Sequence, residues 1–75
     1  DLRGMNVEEA LIEVDRFIDS SVLSGIHQVT IIHGKGTGVL RSEISQHLRR
    51  HPHVAEFRLG RYGEGETGVT IVTLK

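Results

Sequence analysis

The segment from Thr30 to Arg41 constrains the fold most, because its hydrophobic pattern changes twice within a short distance. An apolar, β-branched run ends at His33, passes through three glycines interleaved with Lys35 and Thr37, and restarts with helical spacing. This pattern predicts a strand, a tight loop and the start of a helix. The first N–H groups of a helix lack intrahelical partners, and the helix dipole favours negative charge there. The segment therefore predicts a phosphate-binding site.

Composition limits the class of protein. The 75 residues suffice for one small domain with a thin core. There is no cysteine, so neither a disulfide nor a cysteine zinc site supports the fold, and we expect a cytoplasmic protein. No apolar run is long enough to predict a membrane span. A net charge of −1 gives no support for nucleic-acid binding through overall basicity.

The charges are nevertheless unevenly distributed. Acidic side chains crowd the first helical stretch, whereas basic side chains follow the glycine loop: Lys35, Arg41, Arg49 and Arg50. One interpretation is a basic face on a nearly neutral domain. The other interpretation, ordinary solvated helix faces, stays open.

Two helices are predicted. Asn6 and Glu9 have the spacing of a capping box, and Gly25 lies where a C-terminal glycine of the same helix is expected. The second helix is predicted from about Gly38 to Arg50, before Pro52. Their buried stripes are predicted to contain Val7, Ala10, Leu11, Val14, Ile18 and Val22 in the first helix, and Leu40, Ile44 and Leu48 in the second.

Four strands are predicted: one ending at Asp1–Gly4, then Gln28–His33, Val54–Leu59 and Val69–Leu74. The order β-α-β-α-β-β predicts a two-layer α/β (α+β) sandwich with both helices on one face of a mixed, four-stranded sheet. The last strand is nearly continuously apolar, which favours a central, antiparallel position and the strand order 1-2-4-3. Four side chains are then expected on the helix-free face as a candidate partner surface: Thr30, Ile32, Thr70 and Val72.

Three glycine-containing segments are expected to meet at the carboxyl edge of this sheet: Asp1–Gly4, His33–Gly38 and the loop Gly60–Gly68. Neither a P-loop nor a dinucleotide fingerprint fits the glycine spacing. A purely structural interpretation stays open for each segment. The glycines would then only permit positive φ angles, His33 would bond to a nearby carbonyl, Asp1 would cap the following turn, and Arg3 would be a surface charge. The remaining histidines share no metal-ligand spacing and are expected to be solvated: His27, His47, His51 and His53.

Three motifs in order carry a resemblance to a known family: Asp1–Gly4, His33–Gly38 and Gly65–Val72. Together they resemble the Smr (small MutS-related) domain, in the version found at the C-terminus of a bacterial MutS paralogue. The resemblance implies a single Smr domain over residues 1–75, taken from the C-terminus of a longer protein. There an upstream ATPase would use ATP and other domains would dimerise. It also implies a fold similar to the C-terminal domain of translation initiation factor three.

The same resemblance implies an endonuclease that nicks DNA or cleaves RNA with little sequence preference. The parent protein would suppress homologous recombination or rescue stalled ribosomes, with branched or duplex DNA or ribosomal RNA as partner. Arg3 stands where many members of the family carry histidine. The resemblance therefore implies a phosphate clamp at this position in place of one acid/base group.

Cleavage of a phosphodiester assigns roles to these residues. We expect His33 to transfer the proton, since the ordinary pKa of histidine is about 6.5. Asp1 would orient that imidazole or hold a divalent ion such as Mg²⁺ or Mn²⁺, which cleavage of DNA by water favours. The phosphate would be bound by Arg3, Gly34, Lys35, Gly36, Thr37, Gly38, Arg41, Gly65 and Gly68.

A non-catalytic nucleic-acid-binding or ribosome-binding module needs the same phosphate contacts and no proton transfer, so it remains the alternative. Recognition by base stacking is not expected. Tyr62 and two phenylalanines are the only aromatic residues, and Phe17 and Phe57 are assigned to the core.

Overall fold

The computed structural model describes every residue from Asp1 to Lys75 and contains two helices and three strands. In chain order these are α1 (Val7–Leu23), β1 (Gln28–Ile32), α2 (Val39–Arg49), β2 (Val54–Leu59), a single 3-10 turn (Glu66–Gly68) and β3 (Val69–Leu74). Neither helix has the length and apolar character needed to cross a membrane.

Both predicted ends of α1 are confirmed, because local hydrogen bonding sets them. The Asn6 side chain accepts a hydrogen bond from the Glu9 backbone N–H at 2.9 Å, as a capping residue does. At the other end Gly25 has a φ of 74°. The N–H of Ile26 then donates to the Ser21 carbonyl at 2.9 Å, which completes a Schellman motif.

The sheet has the order β1-β3-β2, with β3 antiparallel to both neighbours. The predicted central, antiparallel position of the last strand is confirmed. The predicted mixed, four-stranded sheet is wrong, because residues 1–4 form a turn and no strand. Leu2 donates one backbone hydrogen bond to Ile32 at 2.6 Å. The chain then turns at Gly4, whose φ is 84°, so no ladder of successive bonds forms.

One hydrophobic core lies between the helices and one face of the sheet. It contains Leu2, Ala10, Val14, Ile18, Val29, Ile31, Ile44, Leu48, Val54, Val72 and Leu74. The predicted helix stripes supply much of this core. The Phe57 ring packs against it from a partly buried position, whereas Phe17, also assigned to the core, is 45% exposed.

Of the four side chains predicted on the helix-free face, two lie there and two do not. Thr30 and Ile32 are exposed on it, as expected. Thr70 and Val72 are instead fully buried beneath the helices. Val72 pairs with Val29, a core residue of β1, and directly opposed residues of neighbouring strands point to the same face.

Candidate functional site

The glycine-containing segments do meet at one edge of the sheet. The last residue of β1, Ile32, pairs with Val69 at the start of β3. The Gly68 carbonyl oxygen accepts hydrogen bonds from the backbone N–H groups of His33 and Gly34, at 3.1 and 2.9 Å. The loop that precedes β3 is thereby bonded directly to the loop that follows β1.

His33 is buried at this junction, and both of its ring nitrogens have partners. Nδ1 lies 2.9 Å from the Gly34 carbonyl oxygen, and Nε2 lies 2.9 Å from the Thr70 hydroxyl. Because a carbonyl oxygen only accepts, Nδ1 of the neutral ring carries the proton, and Nε2 accepts a hydrogen bond from Thr70. The ring is therefore bonded to a nearby carbonyl, as the structural interpretation predicted. Its role in proton transfer stays a prediction.

Arg3 and Asp1 form a forked ion pair on the surface of the first turn. The Arg3 Nε lies 3.0 Å from both carboxylate oxygens of Asp1, and Nη2 lies 2.6 Å from Oδ2. The Arg3 backbone N–H also donates to the same carboxylate at 3.0 Å, so Asp1 caps this turn. No hydrogen bond joins Asp1 to His33. A Cβ at Gly34 would lie 3.2 Å from the Arg3 Cγ, so the arginine stem packs on the glycine loop.

Lys35 also has a carboxylate partner. Its Nζ donates to Glu66 Oε2 at 2.9 Å, with the two side chains 62% and 47% exposed. Glu66 is the single non-glycine residue with a positive φ, at 53°. A side chain in this left-handed region is held there by its surroundings at a local energetic cost. The Gly60–Gly68 loop therefore places a strained glutamate against the lysine of the glycine loop.

The start of α2 presents unpaired backbone donors. No hydrogen bond engages the backbone N–H groups of residues 35–38, and Gly38 caps the helix without a side-chain acceptor. The Thr37 hydroxyl makes one long contact, 3.4 Å, with the Val39 N–H. A Cβ at Gly38 would lie 2.9 Å from Nη2 of Arg41, which has no carboxylate partner. Free N–H groups and an unpaired guanidinium are what an anion needs at a helix N-terminus.

Glu64 organises the Gly60–Gly68 loop. Its carboxylate accepts two hydrogen bonds from Arg58, at 2.8 and 3.0 Å, and one from the Arg61 backbone N–H at 2.7 Å. The hydrogen bonds from Arg58, followed by that from Arg61, lower the pKa of Glu64 from its ordinary 4.5 to about 2. The Glu64 hydrogen bond in turn raises the pKa of Arg58. Gly65, one of the predicted phosphate ligands, has a φ of 107° and packs against Val69.

Comparison with known proteins identifies the family. The sequence model of the Smr domain matches residues 1–75. The chain belongs to the Smr domain family. It is 60% identical over 75 residues to the endonuclease MutS2 of Clostridium novyi. The matched region covers 100% of this chain and 10% of the length of that protein.

Two solved structures have the same fold as this Smr domain. The Smr domain of Thermus thermophilus MutS2 superimposes with a TM-score of 0.98 at 45% identity, covering 100% of this chain and 94% of the other. YdaL, a stand-alone small MutS-related protein from Escherichia coli, gives a TM-score of 0.92 at 29% identity, covering 99% and 61%. The resemblance inferred from three motifs is confirmed.

The Smr domain has a second polar cluster that the sequence did not predict. Asp15 Oδ1 lies 2.7 Å from His47 Nε2 and 3.3 Å from His51 Nε2. An open cleft of about 460 Å³ lies beside these groups and is also lined by Asp19 and His53. The expectation of a solvated side chain is wrong for His51, which is 8% exposed, whereas the His47 side chain is 30% exposed. The four-residue spacing of His47 and His51 is the sequence signal that could have placed both rings on the same side of the C-terminal end of α2.

This cluster is not suited to a metal ion. The His53 backbone N–H donates to His51 Nδ1 at 3.2 Å, so Nε2 of the neutral ring carries the proton and donates to Asp15. A metal ion binds a ring nitrogen through its lone pair, so Nε2 would have to lose this proton and its hydrogen bond to Asp15. No group of three histidine, aspartate or glutamate side chains is placed to hold an ion elsewhere. At the glycine loops, the carboxylates of Asp1 and Glu66 are both paired with cations.

Proposed function

We propose that this Smr domain binds nucleic acid through its phosphates and acts as an endonuclease with little sequence preference. The observation that carries the proposal is the convergence of the Arg3 and Lys35 segments with unpaired backbone N–H groups at the start of α2. Phosphate contacts of this kind supply affinity without reading base sequence. MutS2 relatives are named endonucleases, and together with this site their name favours a phosphodiester as the substrate.

In this proposal a phosphate lies against the free N–H groups of residues 35–38, with cations on either side. Arg3 and Lys35 exchange their carboxylate partners for phosphoryl oxygens, and Arg41 approaches from the first turn of α2. In the free domain Asp1 holds the Arg3 guanidinium at the edge of the site until a phosphate replaces the carboxylate. Gly34 and Gly68 admit the ligand, because their missing side chains let the two loops and the Arg3 stem pack closely.

Proton transfer in this proposal falls to His33. Its Nε2 first has to leave the Thr70 hydroxyl, since both ring nitrogens are bonded in the free domain. Catalytic hydrogen bonds often form only once substrate is bound. The 2′-hydroxyl of RNA supplies its own nucleophile, whereas DNA requires water. The residues present do not form a divalent-ion site, so no step proposed here passes through Mg²⁺ or Mn²⁺.

The bonded state of His33 also favours a second function, a nucleic-acid-binding or ribosome-binding module without catalysis. The phosphate contacts are identical in that case, and the imidazole serves to hold the Gly34 carbonyl. Roles of the parent protein in recombination or ribosome rescue, its use of ATP, its dimerisation and its location in the cytoplasm remain proposals for the longer chain.

Cleavage and binding assays on the 75-residue domain distinguish the two functions. Supercoiled plasmid and a structured RNA are incubated with and without EDTA, using wild type, His33→Gln and Lys35→Ala. Lys75→Ala is the matched control, because it removes the same charge from an exposed lysine without an ion pair. We expect Lys35→Ala to weaken binding on all sequences and to lower the salt slope by at most about one.

Cleavage that disappears in folded His33→Gln, while binding persists, supports the endonuclease. Binding without cleavage of either polymer by the wild type supports the module. Equal binding by Lys35→Ala and Lys75→Ala would contradict both, since neither proposal survives without the glycine-loop phosphate contact.

A further inference from the structure

We propose that Tyr62 is a stacking platform for one unpaired base of the nucleic acid. The inference rests on the proposed function, because it places the base next to phosphates that the glycine loops hold. Tyr62 is 94% exposed and makes no hydrogen bond. Aromatic rings normally stabilise a fold by burying large apolar surfaces. The ring of Tyr62 contributes nothing of this kind to the domain.

The turn that carries Tyr62 is well organised. The Glu64 N–H donates to the Arg61 carbonyl at 2.9 Å, and the Arg61 N–H donates to the Glu64 carboxylate at 2.7 Å. Tyr62 and Gly63 are the two central residues, and the φ of 86° at Gly63 is typical of a type II turn. Arg58 holds the same carboxylate from β2. Since the turn is already ordered, little entropy is lost when its tip binds a ligand.

The same turn is bonded to the proposed phosphate site. The Glu66 N–H donates to the Arg61 carbonyl at 3.4 Å. The Glu66 carboxylate pairs with Lys35 at 2.9 Å. The residue before Tyr62 is therefore connected, through one glutamate, to the lysine that contacts phosphate in our proposal. In our proposal, a strand bound at Lys35 places one of its bases next to this turn.

The chemistry of the tip favours a nucleobase over a protein partner. Arg61 and Gly63 flank the ring, and the Arg61 guanidinium has no carboxylate partner. Protein interfaces depend on clusters of anchors in packed pockets, whereas one ring beside a cation suffices to stack on one base. The small number of aromatic residues in the sequence argues against an extended stacking surface. A single position for an unpaired base is compatible with that count.

The test uses the intrinsic fluorescence of the domain. The chain has one tyrosine and no tryptophan, so the emission comes from Tyr62 alone. The probes are a short oligothymidylate, its duplex with oligoadenylate, and inorganic polyphosphate with a matched number of phosphates. We expect oligothymidylate to quench the emission in parallel with binding. Polyphosphate is expected to bind without quenching, because it offers charge and no base.

Variants of Tyr62 measure how much the ring contributes to the affinity for oligothymidylate. Tyr62→Ala is expected to weaken oligothymidylate binding by roughly five- to 150-fold, the range for loss of one base–aromatic stack. The same variant should leave polyphosphate binding unchanged, and Tyr62→Phe should retain the affinity for oligothymidylate. Circular dichroism checks that each variant is folded.

The outcomes separate the two levels of inference. If Tyr62→Ala binds oligothymidylate as tightly as the wild type, while Lys35→Ala does not, the stacking role is refuted and the proposed function stands. A docking role for a protein partner would then be the better interpretation of the exposed ring. If the wild type binds none of the three probes, the proposed function itself fails, and the stacking role fails with it.

Discussion

Replacing Thr70 by valine tests whether one buried hydroxyl holds His33 in place. Thr70 is 0% exposed and His33 is 5% exposed, with 2.9 Å between the hydroxyl oxygen and Nε2. Valine has nearly the same shape, so the variant leaves no large cavity but removes the only donor to a buried ring nitrogen. A buried acceptor without a partner costs about 1–3 kcal/mol.

That loss is large relative to the stability of such a domain. A chain of 75 residues is expected to have an unfolding free energy of roughly 4–11 kcal/mol. Urea denaturation at neutral pH, followed by far-UV circular dichroism, measures the difference directly. In thermal unfolding each kcal/mol corresponds to a fall in Tm of about 4–8 °C for a domain of this size.

Thr73→Val is the matched control for Thr70→Val. Thr73 is three residues further along β3, so its side chain points to the opposite face of the sheet. Its hydroxyl makes no hydrogen bond. We expect this control to change stability by less than about 0.5 kcal/mol. If the two variants are equally stable, the hydroxyl does not hold the ring, and the tautomer assigned to His33 is wrong.

Three further perturbations act on the Gly60–Gly68 loop. Glu66→Gln should tighten polyphosphate binding by roughly two- to fivefold at low salt, because Lys35 loses a competing carboxylate. Isothermal titration calorimetry measures this affinity, and the difference from the wild type should disappear at high salt. The pKa of Glu64, lowered to about 2 chiefly by Arg58, means that the pair stabilises the loop fully above pH 4.5 and is lost as the pH falls towards 2. An NMR titration midpoint near the ordinary value would contradict this pair. Gly60→Ala should lower Tm, because a Cβ there would lie 2.5 Å from a valine methyl carbon of β3 and 2.8 Å from a backbone carbonyl oxygen.

Local features of the fold were predictable because their causes are close in sequence. The N-terminal cap at Asn6 and the Schellman glycine at Gly25 each depend on hydrogen bonds within a few residues. The central position of β3 was predictable for a different reason. A strand that is apolar on both faces has to be covered on both, and the middle of the sheet provides most of that cover.

The same property made the facing of β3 unpredictable. Because alternate residues of β3 are apolar on either side, its composition does not identify which set faces the helices, and a shift by one residue exchanges the faces. The pairing of Val29 with Val72 decides the question, and that pairing is long-range. The absent first strand has a related cause. Whether Leu2 belongs to a strand depends on successive bonds to β1, and one such bond is formed.

The candidate site shows the same division between local and distant causes. That Asp1 caps the turn at Arg3 follows from residues two apart, and the structural interpretation anticipated it. The partner of Lys35 is Glu66, 31 residues away in the sequence. The partner of His33 Nε2 is Thr70, 37 residues away. These contacts decide the hydrogen bonding and the charge pairing of the site, and only the folded chain brings them together.

Internal pairing explains how a domain with a net charge of −1 can hold a phosphate site. Arg3 and Lys35 are each paired with a carboxylate, so Arg41 is the one unpaired cation of the site until a ligand displaces Asp1 or Glu66. Phosphate binding releases cations from the nucleic acid, but a displaced carboxylate takes up a cation in return, so the net release is smaller than the number of contacts. The salt dependence of binding should therefore be shallower than a count of its cations suggests. Removing the carboxylate of Glu66 should make it steeper, since Lys35 would then meet phosphate without returning a counterion.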